Sequence, residues 1–217
     1  FISTLRQQFP EVPLAGIGFS LGGNVLVKYC GEQGTANPLF AAVAVSAPLD
    51  LSASADRINQ GFSKVYQRYL LGRLKATMQR KLAAHANFPL PVNEDDIQQL
   101  QSIRQFDELI TAPMHDFLHA EDYYQRCSGK AFLSQVAKPL LLVHAEDDPF
   151  LGASSIPTPS ELNPFVQLML SKKGGHVGFV AGAYPWHRYY WLEHIVPTFL
   201  QQVLRSPINS KAEQNSC

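Results

Sequence analysis

Ser20 stands in a sequence context that can make a hydroxyl group nucleophilic. Residues 18–22 read Gly-Phe-Ser-Leu-Gly; they complete an apolar run (12–19) and open a stretch with helical periodicity. A serine at a sharp strand-to-helix turn holds its hydroxyl clear of the sheet, and the first free amides of the helix point into the space beside it. Because such amides stabilise the negative charge that develops in acyl transfer, the backbone N–H of Leu21 is the candidate oxyanion donor.

Two other interpretations of this segment remain open. A glycine-rich turn with Ser20 as an ordinary helix N-cap would give the same five residues. Gly16, Gly18 and Gly22 also form a loose variant of the glycine pattern that binds dinucleotides. That pattern requires an acidic residue at the end of the next strand, about 20 residues later. The nearest such residue, Asp50, lies farther along and in a predicted turn, so nucleotide binding is the weaker alternative.

Three carboxylates follow the apolar run 139–144, in the sequence Ala-Glu-Asp-Asp-Pro-Phe. A serine nucleophile needs a base that takes its proton and an anion that orients the base, and catalytic groups gather at the carboxyl ends of strands in open α/β sheets. We assign the anion to Asp148, because Pro149 holds it extended and because it lies four positions after His144, as in the related motif His-Gly-x-x-Asp. Asp147 is the second choice, and a solvated acidic turn is the alternative.

The candidate base is His176, which lies in a Gly-Gly-His turn directly after the apolar run 165–170. Its glycine neighbours allow a sharp bend that brings the imidazole inward. The other histidines lie in predicted helical or inter-helical segments, apart from His144, which we expect to be structural: His85, His115, His119, His187 and His194. The order serine, acid, histidine is a known order of a catalytic triad, so we predict a triad of Ser20, Asp148 and His176.

Four apolar runs indicate strands that are buried on both faces of a parallel sheet. They cover residues 12–19, 40–47, 139–144 and 165–170. Helical material separates them, and this alternation is typical of a doubly wound α/β fold. We therefore assign residues 1–50 and 129–204 to the α/β core, with a terminal helix over 184–204, and residues 205–217 to a disordered tail.

The long segment 51–128, between the second and third strands, is predicted to form a helical cap over the carboxyl edge of the sheet, because it exceeds any ordinary crossover. Within it, apolar periodicity predicts helices over 61–85, 95–105 and 116–126. Six aromatic residues of the cap either line an acyl pocket or pack the cap onto the core: Phe62, Tyr66, Tyr69, Phe117, Tyr123 and Tyr124.

The composition excludes several classes of protein. The chain has 217 residues with 18 basic and 18 acidic side chains, so it lacks the basic excess of a nucleic-acid binder. No apolar run approaches the ~20 residues that span a bilayer, and we expect no integral membrane segment. The three cysteines are far apart, which indicates a reducing, cytoplasmic location without a disulfide framework or zinc site. The proposed chemistry needs no metal or organic cofactor, and the oligomeric state stays open.

Five short motifs extend over most of the chain: Gly-Phe-Ser-Leu-Gly-Gly-Asn at 18–24, Gly-Phe-Ser-Lys-Val-Tyr-Gln-Arg-Tyr-Leu-Leu at 61–71, Phe-Asp-Glu-Leu-Ile-Thr-Ala at 106–112, His-Ala-Glu-Asp-Asp-Pro-Phe at 144–150 and Gly-Gly-His-Val-Gly-Phe at 174–179. Together they resemble the YheT-like bacterial esterases, a branch of the α/β-hydrolase superfamily that includes abhydrolase-domain lipases. The resemblance implies a partial α/β-hydrolase fold and a serine esterase acting on short-chain esters or acylglycerol lipids. It assigns nucleophile, acid and base to Ser20, Asp148 and His176.

The chain begins at Phe1 in what reads as the end of a helix, and we expect it to be a fragment of a longer protein. The resemblance implies a preceding half that carries the first strands and the second oxyanion donor. Loss of one such donor typically costs ~100- to 1000-fold in rate. We therefore expect this piece to be nearly inactive and, with strand 12–19 as an exposed apolar edge, poorly soluble. A non-catalytic binding scaffold, or an acyltransferase with the same triad, is the competing expectation.

Overall fold

The computed structural model describes residues 1–84, 92–181 and 189–206, which fall into two compact units. Within these ranges, unit 1 consists of Phe1–Leu49, Gly129–Asp148 and Ile156–Cys217, and unit 2 consists of Asp50–Ser128 and Pro149–Ser155. The short segment 149–155 belongs to unit 2, and no feature of the sequence separated it from the core. The division into an α/β core and a cap that covers its carboxyl edge stays a prediction.

Unit 1 is built on a parallel sheet of four strands in the order β1-β2-β3-β4. The strands are β1 (Ala15–Phe19), β2 (Ala41–Val45), β3 (Leu140–Ala145) and β4 (Val166–Ser171). Each of the four predicted strands is present. Every residue of β2 and β3 is buried, as the continuous apolar runs predicted for strands covered on both faces.

Helices cover both faces of this sheet. On one face α2 (Leu21–Gln33) and a 3₁₀ turn (Gly129–Gln135) pack on alternate residues of the two central strands, with Val27 and Leu133 in the interior. On the other face α9 (Leu192–Arg205) packs its Val196 on the residues between them. Because successive side chains of a strand point to opposite faces, each central strand supplies both hydrophobic cores.

The strand β1 lies at one edge and pairs only with β2 among the described strands. Ile17 and Phe19 are each about half exposed, at 48% and 49% of their surface. The expected exposed apolar edge is therefore present. Beside it, α1 (Ile2–Gln8) and α2 border an apolar groove of about 460 Å³.

Unit 2 is helical in its described part. Its helices are α3 (Leu51–Ile58), α4 (Ser63–Ala84), α5 (Glu94–Gln99), α6 (Ile103–Phe106), α7 (Ala112–Met114) and α8 (Ala120–Cys127), with a π-helical turn at Asp107–Thr111. The long predicted helix is α4, although its predicted last residue, 85, lies outside the described ranges. No helix within these ranges has the length and apolar character needed to cross a membrane.

Three predicted helix boundaries were wrong, and local hydrogen bonds explain two of them. The helix predicted over 95–105 is divided into α5 and α6, because Ser102 accepts the Gln105 N–H and starts a new helix. The helix predicted from residue 116 begins as α8 at Ala120, because His119 is its N-cap and accepts the Asp122 N–H.

The terminal helix was predicted over 184–204. The structure instead pairs β5 (Val180–Ala181) with the antiparallel β6 (Tyr189–Tyr190), and α9 begins only at Leu192. Residues 182–188 lie outside the described ranges. The helix continues through Arg205, which the sequence assigned to the tail, and residues 207–217 are not described.

The motif at 106–112 organises the interior of unit 2. Asp107 accepts hydrogen bonds from the Tyr124 hydroxyl at 2.7 Å and the Thr111 hydroxyl at 2.7 Å, while burial raises the pKa of its carboxyl. Tyr124 is 2% exposed, and its ring contacts Tyr123, which contacts Phe117. These three aromatic residues therefore pack within unit 2.

Candidate active site

Ser20 occupies the turn between β1 and α2 in an uncommon backbone conformation. Its φ is 51° and its ψ −128°, a region that L-residues with a Cβ rarely adopt. The Ser20 N–H donates to the Val45 carbonyl at 2.9 Å, which ties the turn to the neighbouring strand. The strain persists because the strand before it and the helix after it fix both sides of the turn.

The turn depends on a close approach of two backbone segments. A Cβ on Gly18 would lie 2.5 Å from the Gly22 carbonyl oxygen and 2.7 Å from Gly23 Cα, so no side chain fits there. A Cβ on Gly23 would lie 3.0 Å from both the Gly18 carbonyl oxygen and Ala47 Cβ. At Gly22 a Cβ would meet nothing within 4 Å. The tight pair is therefore Gly18 and Gly23, and the sequence analysis had not singled out Gly23.

The structure brings Ser20, His176 and Asp148 together, all within unit 1. The distance from His176 Nε2 to Ser20 Oγ is 2.9 Å, and that from His176 Nδ1 to Asp148 Oδ2 is 2.8 Å. The side chains of His176 and Asp148 are 14% and 1% exposed. In the tautomer that carries its proton on Nδ1, the ring donates to Asp148, and Nε2 can accept the serine hydroxyl hydrogen.

The contacts of Ser20 and Asp50 bear on the two alternative interpretations of this segment, an ordinary N-cap and a dinucleotide site. Ser20 is the N-cap residue of α2, but among the described residues its side chain makes no capping hydrogen bond. Its hydroxyl instead lies within hydrogen-bonding distance of the imidazole. Asp50, the acid that a dinucleotide site would use, caps α3 by accepting the Ala53 N–H at 3.0 Å.

Asp147, the second choice for the acid, has a different set of contacts. Its Oδ1 accepts the Gly174 N–H at 2.9 Å and the Gly175 N–H at 2.8 Å. The carboxylate is therefore bonded to the backbone of the loop that leads into His176, while Asp148 is bonded to the ring. Two adjacent acids contact the same loop in two different ways.

The loop around His176 adopts positive φ values on both sides of the histidine. Gly175 and Val177, on either side of the histidine, have φ values of 57° and 58°. The Val177 N–H lies 3.3 Å from the Ser46 Oγ at the end of β2, and Ser46 itself has a φ of 49° and is fully buried. Sequence reasoning missed Ser46; the available signal was a polar residue at the carboxyl end of an otherwise apolar strand.

His144 is a second histidine close to the site. It is fully buried, and neither ring nitrogen has a hydrogen-bond partner among the described residues. Burial lowers the pKa of His144 to about 4. The charge of Asp148 raises this pKa in part, and His176 lowers it further. The ring is therefore neutral at neutral pH.

Leu21 is the first residue of α2. The first amides of a helix have no carbonyl partner within it and carry a partial positive charge, which favours an anion beside Ser20. The role of Leu21 as an oxyanion donor stays a prediction. In the described ranges no cluster of three His, Cys, Asp or Glu side chains has the arrangement of a metal site.

Comparison with known proteins places this fold in a family. The model of the alpha/beta hydrolase fold matches residues 1–183, and the chain belongs to that family.

Among individual relatives, the chain is 44% identical over 206 residues to the protein named "Putative esterase YheT" of Escherichia coli (strain K12), which covers 95% of this chain and 60% of that protein. The resemblance to YheT-like proteins is thereby confirmed. The chain is 32% identical over 182 residues to the monoacylglycerol lipase of Saccharomyces cerevisiae, a match that covers 82% of this chain and 40% of that protein. It is 30% identical over 202 residues to the phospholipase ABHD3 of Mus musculus, with 92% and 48% covered. The chain thus spans between 40% and 60% of the length of these relatives.

Proposed function

We propose that the protein is a serine hydrolase that cleaves carboxylic esters through an acyl-enzyme formed on Ser20. The observation that carries this proposal is the continuous contact from Asp148 through His176 to Ser20, at 2.8 Å and 2.9 Å. A hydroxyl is a weak nucleophile until an adjacent base removes its proton, and the geometry supplies that base together with the anion that orients it.

The reaction proceeds in two halves. As Ser20 Oγ bonds to the ester carbonyl carbon, its proton moves to His176 Nε2, and Asp148 stabilises the resulting imidazolium. The Leu21 N–H holds the oxyanion. The intermediate collapses when the bond to the alcohol breaks and the alcohol takes the proton from Nε2. A water then loses a proton to Nε2, attacks the acyl carbon and releases the acid, and Ser20 recovers its proton.

The substrate class is part of the same proposal. The relatives are named as an esterase, a monoacylglycerol lipase and a phospholipase, and these names support short-chain esters or acylglycerol-type lipids as substrates. The reaction as written uses neither a metal nor an organic cofactor. The wide spacing of the cysteines supports a cytoplasmic location.

Labelling by a fluorophosphonate probe tests the proposal without requiring turnover. We expect the probe to modify Ser20, identified by mass spectrometry of the labelled peptide, and Ser20→Ala to abolish the label. Ser3→Ala is the matched control, since this serine lies in α1 and should leave labelling unchanged. His176→Ala should slow labelling. A folded protein that remains unlabelled at Ser20 would support a binding scaffold without catalysis and contradict the proposal.

A further inference from the structure

The helix α4 has one buried side and, on another side, a row of exposed apolar side chains. Gln67, Leu71 and Met78 lie on the buried side, at steps of four and seven residues. Phe62, just before the helix, and Val65 and Tyr69 lie at steps of three and four on another side, where they are 75%, 54% and 67% exposed. An exposed apolar face of this kind marks an interaction surface.

All the charged side chains of α4 are basic. Between residues 63 and 84 there are six basic side chains, one third of the 18 in the chain, and no acidic one: Lys64, Arg68, Arg73, Lys75, Arg80 and Lys81. None of the six forms an ion pair with another described residue. Because the whole chain has no net charge, this is a local concentration of positive charge rather than a general basic character.

The basic residues flank the apolar side chains. Arg73 and Arg80 continue the face of Tyr69 at four and eleven residues beyond it. Lys64, Arg68 and Lys75 line a groove of about 620 Å³ along the neighbouring flank, and no carboxylate contributes to the described lining of that groove. The groove therefore presents a positive potential beside the exposed aromatic residues.

We propose that the outward face of α4 docks on an anionic lipid surface. Phe62, Val65 and Tyr69 enter the boundary between headgroups and acyl chains, while the flanking lysines and arginines contact lipid phosphates. A helix with apolar side chains on one face and basic side chains beside them is suited to that interface. A symmetric dimer through the same face would bring two sets of like charges together, which disfavours a second copy of the chain as the occupant.

Vesicle flotation tests the inference on the full chain. We expect the protein to float with vesicles of equal parts phosphatidylglycerol and phosphatidylcholine, but not with phosphatidylcholine alone, and to be released by salt because the attraction is screened. Each cation near an anionic surface contributes about a fivefold change in partitioning, so R73Q/R80Q should weaken binding about 25-fold. The double variant F62S/Y69S should also lose binding, since it removes the inserted side chains.

Matched variants control for general effects. Leu118→Ser removes an apolar side chain that is 87% exposed elsewhere in unit 2, and K138Q/R205Q removes two cations outside α4. Both should float like the wild type. Ser20→Ala should also bind, so that a failure of the catalytic proposal leaves this test intact. Should F62S/Y69S not fold, as judged by circular dichroism, R73Q/R80Q decides the question.

Three results would overturn the inference. The first is an absence of flotation with the anionic vesicles at low salt, and the second is equal flotation of R73Q/R80Q and the wild type. The third is a concentration-dependent dimer in light scattering that F62S/Y69S dissociates, which would assign the face of α4 to a second copy of the chain.

Discussion

The turn that carries Ser20 and the loop that carries His176 are held in position by different forces. The turn depends on steric fit: Gly18 and Gly23 allow two backbone segments to approach so closely that a Cβ on Gly18 would overlap backbone atoms. The loop is fixed by hydrogen bonds that its backbone amides donate to two side chains, Asp147 and Ser46. We therefore expect the position of Ser20 to be lost altogether when its turn is substituted, whereas the position of His176 should be lost in steps as the contacts of its loop are removed one by one.

The largest effect is expected from Gly18→Ala. Its Cβ would lie 2.5 Å from a backbone oxygen, and backbone atoms cannot rotate away, so we expect a loss of about 3 kcal/mol in the free energy of unfolding. Urea denaturation measures it. Gly22→Ala is the control, because its Cβ meets nothing within 4 Å and alanine favours a helix by up to about 1 kcal/mol over glycine. Equal stability of the two variants would contradict the steric account.

The pH dependence of stability tests a third kind of constraint, the burial of His144. Its pKa is about 4 in the folded protein and about 6.5 for an unperturbed histidine, so between these values the unfolded chain binds the extra proton. The contribution of His144 to the free energy of unfolding is therefore fully present above pH 6.5. It decreases by about 3 kcal/mol as the pH falls toward 4.

His144→Leu removes the titrating group, so the difference in unfolding free energy between wild type and variant should change over that pH range. Urea denaturation from pH 7 to pH 4 measures it. The facing groups, Asp148 and His176, are present in both proteins and largely cancel. Parallel pH profiles would show that the ring is not held neutral by burial.

The stepwise response of the loop begins with Asp147→Ala. The substitution removes the acceptor of two loop amides, and a displaced imidazole lowers kcat rather than raising KM. We expect a loss of about 10- to 100-fold in the rate of Ser20 labelling and of ester hydrolysis. Asp147→Asn retains an acceptor oxygen and should recover most of the rate. Glu146→Ala, the neighbouring exposed carboxylate, should behave like the wild type; an equal loss in that variant would remove the special role of Asp147.

The sequence was sufficient for the parts of this molecule that depend on periodicity and short motifs. The four strands followed from apolar runs. Asp148, chosen over Asp147 for the proline after it and for its spacing from His144, is the acid that contacts the His176 ring, while its role stays a prediction. The positioning contacts were not predictable in the same way. Ser46 reaches Val177 across 131 residues, and nothing in the local sequence specifies that pairing. The break between α5 and α6 was missed because Ser102 acts as a cap in the middle of an otherwise helical pattern.

The smallest effect is expected at Ser46, whose Oγ accepts one hydrogen bond of 3.3 Å from the loop. Ser46→Ala should lower the rate of Ser20 labelling about fivefold, which corresponds to the loss of about 1 kcal/mol for one neutral hydrogen bond. Ser46→Gly loses the same bond but relieves the positive φ of 49°, so it should be more stable than the alanine variant and no faster in Ser20 labelling.

If Asp147 and Ser46 hold one loop, the double variant D147A/S46A should lose less rate than the product of the two single effects, because one substitution has already released the loop. Independent, multiplicative effects would instead mean that the two side chains act on separate parts of the site.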